Sequence, residues 1–109
     1  MEKCLLLGNG GREAVLAEYI SKGYSLYTVC SYENPSIIEM VKKSGGKYII
    51  GNPFNKETVA NFIKENNIDY LFIAGDLYEH NYIRKSTIEY INNLFKEIPN
   101  AQIFISPGN

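Results

Sequence analysis

The sequence predicts an α/β fold with a parallel sheet wound in both directions and helices on both faces. Three observations carry this. Short, near-continuous apolar runs alternate with longer amphipathic stretches along the whole chain. Those stretches are bounded by capping and stop residues, as helices are. A glycine-rich turn follows the first apolar run at once. Strands that are apolar on both sides belong in a sheet covered on both faces, and the intervening helices supply the cover.

Taken in order, Lys3 to Leu7 is the first buried strand, ended by Gly8. Residues 12–22 form a helix with Val15, Leu16, Tyr19 and Ile20 on one stripe and Gly23 as its stop. Ser25 to Cys30 is a second strand, rich in β-formers. Asn34-Pro35 starts a short helix, because Asn caps and Pro suits the first helical position. Its inner side is Ile37, Ile38, Met40 and Val41, and Gly45-Gly46 ends it. Lys47 to Ile50 is a third, shorter strand. Asn55 caps a helix that turns Val59, Phe62 and Ile63 inward. Ile68 to Ala74 is the fourth strand. A last helix runs from Tyr82 to Glu97 with Ile88, Ile91, Leu94 and Phe95 inward, until Pro99 stops it. Ala101 to Ile105 is the fifth strand, closed by Ser106-Pro107-Gly108.

This βαβαβαβαβ order, with right-handed crossovers, restricts the winding to a Rossmann-like or flavodoxin-like one. We expect a doubly wound, five-stranded parallel sheet of order 3-2-1-4-5 in three layers. Residues 1–109 make a single Rossmann-like domain, without repeat, linker or low-complexity segment.

Composition narrows the function. At 45% hydrophobic the chain can bury a modest core. Eleven basic and 12 acidic residues leave a net charge of -1. That balance gives no electrostatic footprint for nucleic acid or an anionic membrane surface. The apolar run Cys4 to Leu7 is too short for a signal segment or a membrane span. Cys4 and Cys30 form no C-x-x-C or Cys/His cluster and read as small buried residues of a cytoplasmic, reduced protein.

In such folds ligands bind beyond the carboxyl ends of the strands. The rim there gathers residues 8–13, the turn around Tyr32 to Asn34, residues 75–81 and residues 106–109. Gly8, Gly10 and Gly11 let the backbone turn tightly and approach a ligand, and the next helix offers free N–H groups and a positive dipole end. Arg12 adds a planar fork suited to phosphate. The dinucleotide fingerprint G-x-G-x-x-G is not met, since Glu13 stands where the third glycine belongs. Glu33, cast as a ribose-binding acid, is one acid in a loop and counts for little. On these residues alone, an anion cradle and a plain tight turn are equally open.

Leu5-Leu6-Leu7-Gly8-Asn9-Gly10-Gly11-Arg12-Glu13 resembles the opening of phosphoribosylamine–glycine ligase, a purine-biosynthesis enzyme of the ATP-grasp superfamily. The family's usual opening is a strand followed by G-N-G-G-R-E-H-A. The similarity of organisation extends to about residue 70. It implies a pre-ATP-grasp domain that helps form the site for a phosphorylated ribosylamine, with Gly8, Asn9, Gly10, Gly11, Arg12 and Glu13 as ligand-binding residues. Ala14 replaces the family's histidine, and the fourth strand leads into Gly75-Asp76-Leu77 where the family has Gly-Pro-Glu. ATP and Mg²⁺ are implied only for the full-length ligase. The isolated chain is expected to hold no cofactor and to ligate nothing.

An acid just past a buried strand, Asp76, suits a hard cation, although capping a turn is the commoner use of a lone acid. Residues 69–109 resemble the calcineurin-like metallophosphoesterases, in particular a DNA-repair exonuclease branch. The family's G-D-x-[FY]-[DE] and G-N-H-[DE] motifs are matched by Gly75-Asp76-Leu77-Tyr78-Glu79 and by Gly108-Asn109. This implies Asp76 and Asn109 as metal ligands of a weak, incomplete site. The family's first metal motif falls where Gly8-Asn9-Gly10 stands, and His80 matches no metal position. Two ligands do not hold a dinuclear centre. With the sequence ending where that family's histidine would follow, the two resemblances suggest a hybrid joined near residues 55–74.

The leading expectation is a ligase-type N-terminal domain that binds at most a phosphorylated small molecule and is not catalytic alone. The alternatives are an inert hybrid or designed α/β fold, and a metal-dependent phosphoesterase or nuclease fragment. Oligomeric state is left open.

Overall fold

The first apolar run is buried from Cys4 to Leu7, as expected of a central strand. Around it the computed structural model describes residues 1–7, 13–53, 55–73, 92, 93, 96 and 102–105, with the backbone course alone for 13 and 102–105. The elements are β1 (Lys3–Leu7), α1 (Glu13–Gly23), β2 (Ser25–Cys30), α2 (Pro35–Ser44), β3 (Tyr48–Ile50), α3 (Lys56–Asn66), β4 (Tyr70–Ile73) and β5 (Gln102–Ile105). Residues 92, 93 and 96 are helical and fall within the predicted last helix. The rest of that stretch lies outside the described residues.

Strands β1 to β4 are parallel and take the order 3-2-1-4 that the sequence predicts; Gln102–Ile105 lies parallel beside β4. Side chains alternate across the sheet with a period of two. Leu5, Leu7, Tyr27, Val29, Leu71 and Ile73 meet Val59, Ala60, Phe62 and Ile63 of α3 on one face. Leu6 and Leu26 meet Ala17 of α1 and Ile37 and Val41 of α2 on the other. Each buried aliphatic side chain in these clusters contributes about 1.5–3 kcal/mol.

Local chemistry fixes the helix ends. Asn34 Oδ1 accepts from the Ser36 N–H at 3.1 Å, with Pro35 in the first turn. Gly45, at φ 83°, takes the left-handed conformation that glycine permits, and its N–H donates to Lys42 O. Asn55 Oδ1 accepts from the Thr58 N–H at 3.1 Å, and Asn67, at φ 53°, closes α3. The chain is then pinned to the sheet. Ser44 Oγ accepts from the Leu26 N–H at 2.8 Å, and Asp69 Oδ2 accepts from the Lys3 N–H at 2.9 Å.

Two expectations need correction. The predicted stripe of α1 is half right: Leu16 and Ile20 pack on the core, but Val15 and Tyr19 are 55% and 70% exposed. Ala17 is wholly buried in their place. The helix lies close over Leu6 and Leu26, where a methyl group fits and a phenol does not. Gly23 is also the last helical residue, not a residue beyond the helix.

Candidate functional site

The carboxyl ends of the strands form the rim on which a ligand would rest. Leu7, the last residue of β1, is in register with Ile73, the last of β4, and Ile73 with Ile105, the last of β5. β2 and β3 run slightly further, to Cys30 and Ile50, which are partners. The chain leaves β1 towards β2 and β3 on one side and returns to β4 on the other. The point where winding reverses lies between β1 and β4, which is where this class of sheet opens a crevice.

The sequence places its main candidates at that point. Gly8, Asn9, Gly10, Gly11 and Arg12 join Leu7 to α1 and lie outside the described residues, while Glu13 is the first residue of α1. Asp76 and His80 follow β4, and Asn109 follows β5; all three lie outside the described residues. The strand ends that carry these segments are neighbours. Leu7 and Ile73 are both fully buried, so both segments spring from the rigid centre of the sheet. The N-terminus of the 11-residue α1 brings a partial positive charge to the same point.

The described part of the rim carries little chemistry of its own. Asn34 is occupied in capping α2. Tyr32 and Glu33 are exposed, and Glu33 lies in a surface groove with Ile38, Lys42 and Tyr48, over the outer strand. A ribose-binding role for Glu33 gains nothing from this placement. No sequence pattern singled out a polar pair that lies beneath the rim. Thr28, 2% exposed, contacts the Cys30 sulfur through its hydroxyl at 3.4 Å. Both cysteines are buried. Burial pushes the Cys4 thiol up to about 12, so it stays protonated and unreactive at neutral pH. Among the described residues no three His, Cys, Asp or Glu side chains gather to hold a metal ion. No described helix is long and apolar enough to cross a membrane.

Comparison with known proteins adds a specific likeness. No family model matches the chain. The chain is similar to proteins named phosphoribosylamine–glycine ligase: 30% identical over 74 residues to that of Methanosphaera stadtmanae. The identity is 34% over 77 residues for Pyrococcus furiosus and 35% over 75 residues for Pyrococcus horikoshii. These matches cover 68–70% of this chain but only 16–17% of the relatives, so the chain spans about a sixth of their length. The metallophosphoesterase resemblance of residues 69–109, and the hybrid reading built on it, find no support in these matches. Among solved structures, BdcA in complex with NADPH has a TM-score of 0.51 at 14% identity, covering 88% of this chain and 41% of that one. That likeness shows a shared fold alone.

Proposed function

We propose that the chain is a substrate-binding domain of the kind that opens phosphoribosylamine–glycine ligase, holding a phosphorylated sugar amine at residues 8–13 without catalysing a reaction alone. The observation that carries the reading is the distant homology to that ligase over about 70% of the chain. The geometry agrees with it. Residues 8–12 bridge the central strand and the N-terminus of α1, at the point where the sheet's winding reverses.

In this reading each group has a simple task. Gly8, Gly10 and Gly11 bring main-chain N–H groups close to a phosphate, since no Cβ stands in the way. The α1 dipole adds a fixed partial charge of about +0.5 at the same point. Arg12 binds two phosphate oxygens in a planar fork. Asn9 and Glu13 serve the sugar, Glu13 by accepting from its amine or hydroxyls. ATP and Mg²⁺ belong to the full-length relatives in this reading. Among the described residues no three His, Cys, Asp or Glu side chains gather.

A melting-temperature titration tests the proposal. Ribose 5-phosphate should raise the midpoint and unphosphorylated ribose should not, and Arg12→Ala should abolish the rise. Equal effects of the two sugars, or none of either, would leave an α/β domain that binds no such ligand. An increase with Mn²⁺ alone that Asp76→Ala removes would favour the phosphoesterase reading instead.

A further inference from the structure

The outer strand of the sheet, β3, has the features of a surface that pairs with a second copy of itself. The Thr28 N–H donates to Lys47 O and the Gly51 N–H to Cys30 O. Parallel ladders alternate, so Ile49 faces β2 while the backbone groups of Tyr48 and Ile50 point out from the edge. Edge strands are usually guarded by proline, a bulge or inward charge. β3 has none of these within Tyr48–Ile50; its guards are its three-residue length and the exposed Lys47 just before it, and it exposes Ile50 at 48%. Tyr48 packs on the face that carries α2, and the period of two sets Ile50 on that face as well. Beside them runs an open groove of about 460 Å³ between the flank of α2 and the edge.

The charges along this groove are sorted by height. Glu33 stands before the N-terminus of α2, while Lys42 lies in its last turn with the exposed Lys47 beyond it. Glu39 and Lys43 also line the groove but neutralise one another at 2.8 Å, which leaves Glu33 at one end and Lys42 at the other, an arrangement complementary to its own antiparallel copy.

We propose that two copies of this chain associate edge to edge through β3, antiparallel, about a two-fold axis at Ile49. That axis sets Tyr48 opposite Ile50 of the second copy, and such a pair exchanges both its N–H···O bonds. It also makes an aromatic–β-branched pair on one face, a favourable cross-strand combination, and covers the exposed Ile50. The same axis keeps both α2 helices on one face of the joined sheet. It brings Glu33 of each copy beside Lys42 of the other, across the groove. The proposal is independent of any ligand at residues 8–13.

Sedimentation velocity of the full chain over a concentration series tests it. A monomer–dimer equilibrium is expected, weakened about tenfold or more by Ile50→Lys. Glu33→Lys and Lys42→Glu should each weaken it too, because each variant homodimer sets like charges together. An equimolar mixture of those two variants should recover the dimer, since their heterodimer keeps one native Glu33–Lys42 pair and restores the other with its charges exchanged. This recovery depends on the antiparallel geometry and is immune to general effects on folding. A monomer at every concentration would leave the edge to an extended segment of another protein and overturn the proposal. So would a dimer indifferent to Ile50→Lys, or a mixture no stronger than its components.

Discussion

Replacing Gly46 by alanine should be the most damaging single-methyl change in the turn between α2 and β3. A Cβ at this position would stand 1.8 Å from the Leu26 carbonyl oxygen and 2.6 Å from its carbon. Both atoms belong to the backbone of β2, which cannot rotate away. Restoring van der Waals distance requires turn and strand to part by about 1.5 Å. That movement strains the bonds fastening them, Leu26 N–H to Ser44 Oγ at 2.8 Å and Thr28 N–H to Lys47 O at 3.3 Å. Overpacking costs about 1–3 kcal/mol, and each buried bond lost adds about 1 kcal/mol or more. The expected loss is thus about 3–5 kcal/mol, a large share of the roughly 5–15 kcal/mol that holds a small domain. Two other glycines calibrate the effect. Gly45→Ala meets nothing nearer than 3.9 Å but must hold φ 83°, at a cost of about 1–2 kcal/mol. Gly23→Ala meets nothing within 4 Å at the end of α1 and should gain up to about 1 kcal/mol. Urea unfolding of the three variants checks the order. A Gly46→Ala protein as stable as Gly45→Ala would refute the reasoning.

The two asparagine caps offer a second check: Asn34→Ala and Asn55→Ala should each lower stability by about 1 kcal/mol in the same urea assay. The Cys4 thiol offers a third, in alkaline solution. Its folded value stands at about 12 against an ordinary 9.0, so the fold favours the neutral thiol. That contribution is fully present below pH 9 and is lost as the pH rises from there towards 12, at about 1.4 kcal/mol per pH unit. Cys4→Ala should therefore lose stability less steeply than wild type between pH 9 and 11, and parallel slopes would contradict the assignment. In native protein at neutral pH, a thiol reagent should label Cys4 far more slowly than in urea.

The sequence foretold most of the scaffold because its signals are local. Asn34-Pro35 and Gly45-Gly46 bracket α2 through side-chain capping and a left-handed turn, and both appear in the structure. Leu5, Leu6 and Leu7, apolar on both sides of the strand, announce the central position of β1. The inner face of α3, Val59, Phe62 and Ile63, is equally legible. What escaped depended on partners distant in the chain. Val15 and Tyr19 look like core residues by spacing, but closeness to Leu6 and Leu26 selects Ala17 instead. Ile38 has the right period for the core and ends half-buried in the groove above β3, because among the described residues no further strand lies beyond β3. The candidate site divides in the same way. The sequence places residues 8–13 after the central strand, and the register of Leu7 with Ile73 makes the ends of β1 and β4 neighbours. Strand periodicity encodes the strands but not the course of Gly8–Arg12 and residues 74–80, which lie outside the described residues.

The central claim, that residues 8–13 hold a phosphorylated sugar, is tested most directly by following backbone amide resonances while ribose 5-phosphate is added. Saturable shifts are expected at Gly8 to Glu13 and in the first turn of α1, absent with ribose and absent in Arg12→Ala. Shifts confined to the groove between α2 and β3, or shifts that Arg12→Ala leaves intact, would contradict it.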